Sequence, residues 1–207
     1  MKVKICGIMD IEAALTAVEA GVDALGFVFA ESKRRITPEK AKNIISQLPD
    51  RILKVGVFVN EEQESIERII TETGINLVQL HGDEPPSFCQ TFSVPVVKAY
   101  SIHSPKDLVE VANFSCEYAL FDSPKERYHG GNGKVFNWEL IKDFQTNGKK
   151  IILAGGLHEG NVVEAIRQVQ PFMVDVSSGV ETNGKKDLEK IKAFIAKAKS
   201  ASREEVR

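Results

Sequence analysis

Apolar runs of four to seven residues alternate with longer amphipathic stretches from one end of the chain to the other. The runs VKIC (3–6), ALGFVF (24–29), LKVGVFV (53–59), LVQLH (77–81), PVVKAY (95–100), YALFDS (118–123), KIILAGG (150–156) and FMVDVSS (172–178) have strand length. They are nearly continuous in Val, Ile, Leu and Phe, as strands are when helices cover a parallel sheet. The stretches 11–20, 38–48, 61–73, 105–112, 161–169 and 187–199 predict helices. The second carries clear start signals: Thr37 as N-cap, Pro38 at the first helical position and Glu39 in the first turn. The alternation amounts to about eight βα units, the number that closes a (β/α)8 barrel, in a chain shorter than the ~250 residues typical of that fold. Its loops are therefore expected to be short. An open doubly wound sheet shares the alternation and is the structural alternative.

No linker, low-complexity tract or composition shift marks a second domain. One barrel domain over 1–200 is expected, followed by a polar tail, 201–207, that frays. At 207 residues and 43% hydrophobic content the chain can bury a sizeable core. The formal net charge of −2 leaves no basic surplus for nucleic acid and suits a small polar or anionic metabolite better. Residues 1–7 run into Asp10 and Glu12 without the apolar stretch of a secretory signal or a membrane span, so a cytoplasmic location is expected. Cys6, Cys89 and Cys116 are an odd number at wide spacing, which suggests neither a disulfide framework nor a zinc site. Reduced thiols are expected.

In a barrel, chemistry gathers at the carboxyl ends of the strands. The first strand ends in Cys6, the fourth in Gln79 and His81, the sixth in Asp122; the loop after the second carries SKRR (32–35). The seventh ends in Gly155-Gly156, and the eighth contains Asp175 and leads into Ser177-Ser178-Gly179. Small residues let a ligand approach the backbone, and loops seven and eight of a barrel often form a phosphate site. Gly155, Gly156, Ser178 and Gly179 are therefore the candidate phosphate binders, although GG and SSG also suit plain tight turns. HGGNGKVF (129–136) is neither a GxGxxG nor a Walker A motif, because Tyr128 and Val135 stand where the P-loop needs Gly and Ser or Thr. A loop long enough to close over a substrate accounts for it better.

Side chains alternate along a strand, so Lys4 shares a face with Cys6, and Asp122 shares one with Leu120. If those faces point inward, a thiol and a carboxyl group meet in one mouth. A lone cysteine is most simply packing, and a lone strand-end aspartate a helix cap. Together they make a general acid/base pair, provided that the cavity raises the pKa of the aspartate and lowers that of the cysteine. Such a pair suits proton movement on a phosphosugar.

The motifs KICGI, GFVF with SKR and TPEKA, VGVFVN, VQLHGDE, LFDS, GGNGKVFNW, LAGGL with GNV, and VDVSSGVE with GKKD occur in this order. Across essentially the whole chain they resemble the phosphoribosylanthranilate isomerase family of tryptophan biosynthesis. The resemblance implies a single (β/α)8 barrel and an Amadori rearrangement that needs neither metal nor cofactor, the third step from chorismate to tryptophan. N-(5-phosphoribosyl)anthranilate becomes 1-(2-carboxyphenylamino)-1-deoxyribulose 5-phosphate. By resemblance, Cys6 is the general base and Asp122 the general acid. Aligning back from TPEKA puts the family's carboxylate-binding arginine at Arg34, with Arg35 where an aromatic residue is common. Asp175 falls near the sugar hydroxyls, Gln79 and His81 line the mouth, and backbone at Gly155, Gly156, Ser178 and Gly179 holds the phosphate. The implied partner is this small-molecule substrate, with no nucleic acid or membrane, for a monomer or homodimer.

Two rivals remain. A metal-dependent epimerase barrel needs converging His and carboxylate ligands, whereas His103, His129 and His158 are scattered over loops and helices and only His81 sits at a strand end. A non-catalytic phosphometabolite-binding protein would keep the phosphate loops but has no use for Cys6 and Asp122 together.

Overall fold

A computed structural model describes residues 1–123, 137–141, 144 and 148–204. Eight parallel strands close on themselves: β1 (Lys2–Cys6), β2 (Ala24–Val28), β3 (Leu53–Phe58), β4 (Leu77–Leu80), β5 (Val96–Ser101), β6 (Tyr118–Asp122), β7 (Lys150–Leu153) and β8 (Met173–Val176). Because β1 pairs with both β2 and β8, the sheet has no edge, and the open doubly wound alternative falls. Among the described residues six α-helices follow strands: α1 (Ile11–Glu19), α2 (Pro38–Ile45), α3 (Gln63–Thr73), α4 (Asp107–Val111), α5 (Val162–Val169) and α6 (Leu188–Glu204). After β4 the chain forms only a short 3-10 segment, Pro86–Gln90, with Pro86 at its first position.

Local chemistry sets the helix starts. The Asp10 carboxylate accepts from the Ala13 amide at 2.8 Å to cap α1, and Thr37 caps α2 ahead of Pro38. α3 stops at Gly74, whose φ of 77° is the left-handed conformation of a C-terminal cap.

Strand alternation divides the barrel into two cores. Val3, Ile5, Leu25, Phe27, Val78, Leu80 and Phe121 face outward and pack beneath the helices. Inside, Ala24, Val55, Leu77, Val97, Leu120, Ile152 and Met173 form an apolar floor. Register then stacks polar groups above that floor: Lys4 lies level with Ala24 and Asp175, Cys6 with Gly26, Gln79 with Val57, and Asp122 with Ser101.

One expectation is corrected. Cys89 and Cys116 are not reduced thiols but form a disulfide, with Cα atoms 4.9 Å apart. Their sequence separation of 27 carries no motif, and only the fold brings the 3-10 segment after β4 beside the entry to β6. α6 runs to Glu204, and 205–207 of the expected tail lie outside the described residues. Ala201 is buried and continues the stripe of Ile191, Phe194, Ile195 and Ala198, so helical spacing outweighs a polar composition. The stretch 129–136, expected to be a closing loop, lies outside the described residues.

Candidate active site

The mouth is organised around a buried cation. Lys4 on β1 is 1% exposed, and its ammonium donates to Asp175 Oδ2 at 2.8 Å and to Gln79 Oε1 at 2.9 Å. A charge is tolerated at such depth only when paired and hydrogen-bonded. Burial works against the Lys4 charge, but the Asp175 carboxylate and Cys6 sulfur outweigh it and raise its pKa. From Gln79 the chain of contacts continues through Nε2 to His81 Nδ1 at 3.0 Å, and His81 Nε2 lies 3.4 Å from Asp122 Oδ2. Asp122 Oδ1 accepts from the Ser123 amide at 2.7 Å. Thus Asp175, Lys4, Gln79, His81 and Asp122 span the opening in one connected network. Asp175 Oδ1, by contrast, is buried with no hydrogen-bond partner among the described residues.

Cys6 sits beside this network. Gly26 faces it, and a Cβ there would fall 2.8 Å from the sulfur, so the glycine leaves the thiol its space. The expectation that the cavity lowers the Cys6 pKa is corrected. Burial pushes the thiol up, Lys4 pulls it down, Asp175 pushes it up again and Lys186 pulls it down, with a raised value as the result. The surroundings of Cys6 therefore favour the protonated thiol, and the two lysines limit the penalty on thiolate formation.

Lys186 belongs to a hairpin absent from the sequence expectation. After β8 a 3-10 turn, Ser178–Val180, leads into β9 (Glu181–Thr182) and β10 (Lys185–Lys186), which pair antiparallel. Asn183 and Gly184 turn between them with φ of 52° and 76°. Positive φ at both positions is the signature of the tight hairpin turn that Asn-Gly favours, a signal the sequence did carry. Glu181 accepts from Arg34 Nε at 2.6 Å and Nη2 at 3.0 Å, and from Lys186 at 2.9 Å. Burial opposes the Glu181 charge, yet the Arg34 hydrogen bond and the Lys186 cation hold its carboxyl below the usual range. Lys186 also donates to the Ser177 carbonyl at 2.9 Å, and Ser177 Oγ donates to the Cys6 carbonyl at 3.0 Å. Of the two arginines, Arg34 is buried and Arg35 exposed. Gly7, at φ 79°, makes room for Arg34, whose Cδ lies 2.5 Å from where a Cβ would stand.

The candidate phosphate loops meet backbone to backbone. A Cβ on Gly179 would overlap the Leu157 carbonyl, and one on Gly155 would overlap the Ser123 amide and lie 3.1 Å from Asp122 Oδ1. Gly155 and Gly156 both have positive φ, 82° and 65°. Asn161 braces this loop, donating to the Gly156 carbonyl at 3.0 Å and accepting from the His158 amide at 2.8 Å. Every site residue named from the sequence, namely Cys6, Arg34, Gln79, His81, Asp122, Gly155, Gly156, Asp175, Ser178 and Gly179, thus lies at or just beyond the carboxyl end of a barrel strand. Lys4, Glu181 and Lys186 were not on that list. Among the described residues no group of three His, Cys, Asp or Glu is placed to hold a metal ion, and no helix is long and apolar enough to cross a membrane.

Titratable groups converging on the carboxyl-terminal face of a closed eight-stranded barrel define a (β/α)8-barrel enzyme. The family model described as N-(5'phosphoribosyl)anthranilate (PRA) isomerase matches residues 3–197. The chain is 56% identical over 201 residues to an N-(5'-phosphoribosyl)anthranilate isomerase of Bacillus cereus, covering 97% of this chain and 100% of the relative. It is 43% identical to the phosphoribosyl anthranilate isomerase of Thermotoga maritima, with a TM-score of 0.89 over 97% of this chain and 99% of that one. A further solved isomerase, in complex with reduced 1-(o-carboxyphenylamino)-1-deoxyribulose 5-phosphate, superposes with a TM-score of 0.86 at 42% identity, covering 97% and 99% of the two chains. The chain belongs to the phosphoribosylanthranilate isomerase family.

Proposed function

We infer that the chain is the isomerase of tryptophan biosynthesis that converts N-(5-phosphoribosyl)anthranilate into 1-(2-carboxyphenylamino)-1-deoxyribulose 5-phosphate. The mechanism uses its own acid and base. Asp122 gives a proton to the furanose ring oxygen as the C1–O bond breaks, and the anthranilate nitrogen lone pair closes to a Schiff base. The Cys6 thiolate then takes the C2 proton, and the electron pair of that bond runs to the cationic nitrogen, giving an enolamine. Loss of the enol proton and protonation at C1 complete the ketone, so the atoms rearrange with none gained or lost.

Several observations support these roles. Arg34 spends Nε and Nη2 on Glu181, which leaves Nη1 for the anthranilate carboxylate, a task suited to a rigid charged fork. The unpartnered Asp175 Oδ1 is an acceptor for a sugar hydroxyl. Backbone at Gly155, Gly156, Ser178 and Gly179 takes the phosphate. All of these groups come from one chain, so a monomer or a homodimer serves equally, and the biosynthetic substrate puts the proposed compartment in the cytoplasm.

The observation that carries the proposal is the polar network joining Asp122, through His81, Gln79 and Lys4, to the surroundings of Cys6. Purified protein given N-(5-phosphoribosyl)anthranilate is expected to yield the ribulose product, and the gene is expected to rescue a tryptophan auxotroph lacking this step. Absence of product from folded protein would reject the assignment.

A further inference from the structure

Gln79 has a definite orientation because its neighbours leave it no choice. The Lys4 ammonium has three hydrogens and no acceptor, so the Gln79 atom 2.9 Å from it must be the carbonyl oxygen. The amide nitrogen then faces His81 Nδ1 at 3.0 Å as a donor. A ring nitrogen that accepts carries no hydrogen. The neutral ring therefore holds its hydrogen on Nε2, the atom 3.4 Å from Asp122 Oδ2.

This arrangement also locates the acidic proton. A carboxyl group has about four lone-pair positions. On Asp122 the Ser123 amide and hydroxyl, at 2.7 and 3.4 Å, donate to Oδ1, and His81 Nε2 faces Oδ2 from 3.4 Å. Among the described residues Oδ2 accepts no hydrogen bond, so it has room for the proton that is to be delivered. The opposite tautomer would turn a bare nitrogen toward the carboxyl group, a competing acceptor for the same proton.

Resting on the acid role given to Asp122 above, we propose that Lys4 and Gln79 are positioning residues of the acid: they fix His81 as its Nε2–H tautomer, so that it turns an N–H toward Asp122 and cannot accept its proton. Lys4 thereby serves both halves of the site, as a cation beside Cys6 and Asp175 and as the group that orients Gln79.

Nitrogen NMR of the 15N-histidine-labelled full chain, at a pH where free imidazole is neutral, reads the tautomer directly. His81 is assigned by the signals lost in His81→Asn. The expected spectrum has Nε2 pyrrole-like and Nδ1 pyridine-like. Gln79→Glu offers the ring an acceptor in place of a donor. It is expected to move the hydrogen to Nδ1 and to lower kcat at least ~10-fold while KM changes less than ~3-fold, the split that marks a group acting on the proton-transfer step. A wild-type ring protonated on Nδ1 would overturn the inference even if the variant failed to fold. So would a folded Gln79→Glu protein that keeps the Nε2–H form or full turnover. The spectrum needs no turnover, so an inactive wild type with the expected tautomer would count against the function and not against this arrangement.

Discussion

The guanidinium of Arg34 grips Glu181 with two parallel hydrogen bonds, Nε to Oε1 at 2.6 Å and Nη2 to Oε2 at 3.0 Å. This pair joins the loop after β2 to the hairpin after β8, and it holds Arg34 rigid before any substrate arrives. Preorganisation of this kind reduces the ordering cost of binding.

Arg34→Ala is therefore expected to raise KM about 10- to 100-fold, since hydrogen bonds to charged groups contribute roughly 1.5–3 kcal/mol. Arg35 is exposed, and Arg35→Ala is expected to leave KM within about twofold, because a solvated surface charge contributes little. Steady-state kinetics decide it; comparable small shifts in both variants would show that neither arginine anchors the carboxylate.

Acid stability follows from two buried carboxylates. Burial works against the charges of Glu84 and Glu181, but Lys98 at 2.8 Å from the first, and Arg34 and Lys186 beside the second, hold both pKa values below 4.5. The unfolded chain then binds more protons than the folded one, so stability rises with pH. The contribution is complete above pH 4.5 and is lost as the pH falls through the depressed folded values. Urea unfolding from pH 7 downward is expected to show this loss below about pH 4.5, with a shallower slope in Glu84→Gln. A stability that stays flat to pH 3 would contradict the pairings.

The Cys89–Cys116 disulfide leaves Cys6 as the free cysteine. Denatured without reductant, the protein is expected to titrate as one thiol, and after reduction as three. With the partners separated by 27 positions in sequence, chain entropy predicts that reduction costs about 3.5 kcal/mol of stability. Neither sulfur belongs to the mouth, so kcat should persist in Cys89→Ser. Three titrating thiols in freshly unfolded, unreduced protein would refute the bond.

Much of this was legible in the chain. Continuous apolar runs ending in Cys6, His81 and Asp122, and one containing Asp175, marked both the strands and the rim of the site, because burial of a parallel strand leaves its carboxyl end as the place for polar groups. The sequence hid what depends on three-dimensional closure. Lys4 reads as an ordinary strand lysine until β8 and β4 bring Asp175 and Gln79 to it. Glu181 and Lys186 carry no such signal until the Asn183-Gly184 turn brings them to each other and to Arg34. The Cys6 pKa depends on the balance of burial against two lysines remote from each other in sequence, which spacing cannot supply.

The central claim is that a thiol and a carboxyl group work on the substrate from one mouth. Steady-state kinetics of Cys6→Ala and Asp122→Asn with N-(5-phosphoribosyl)anthranilate test it most directly. Each substitution is expected to lower kcat at least ~10²-fold, the usual scale of a general acid or base, with KM changed only a few-fold. Turnover within a factor of about two of wild type in either folded variant would contradict the role given to that residue.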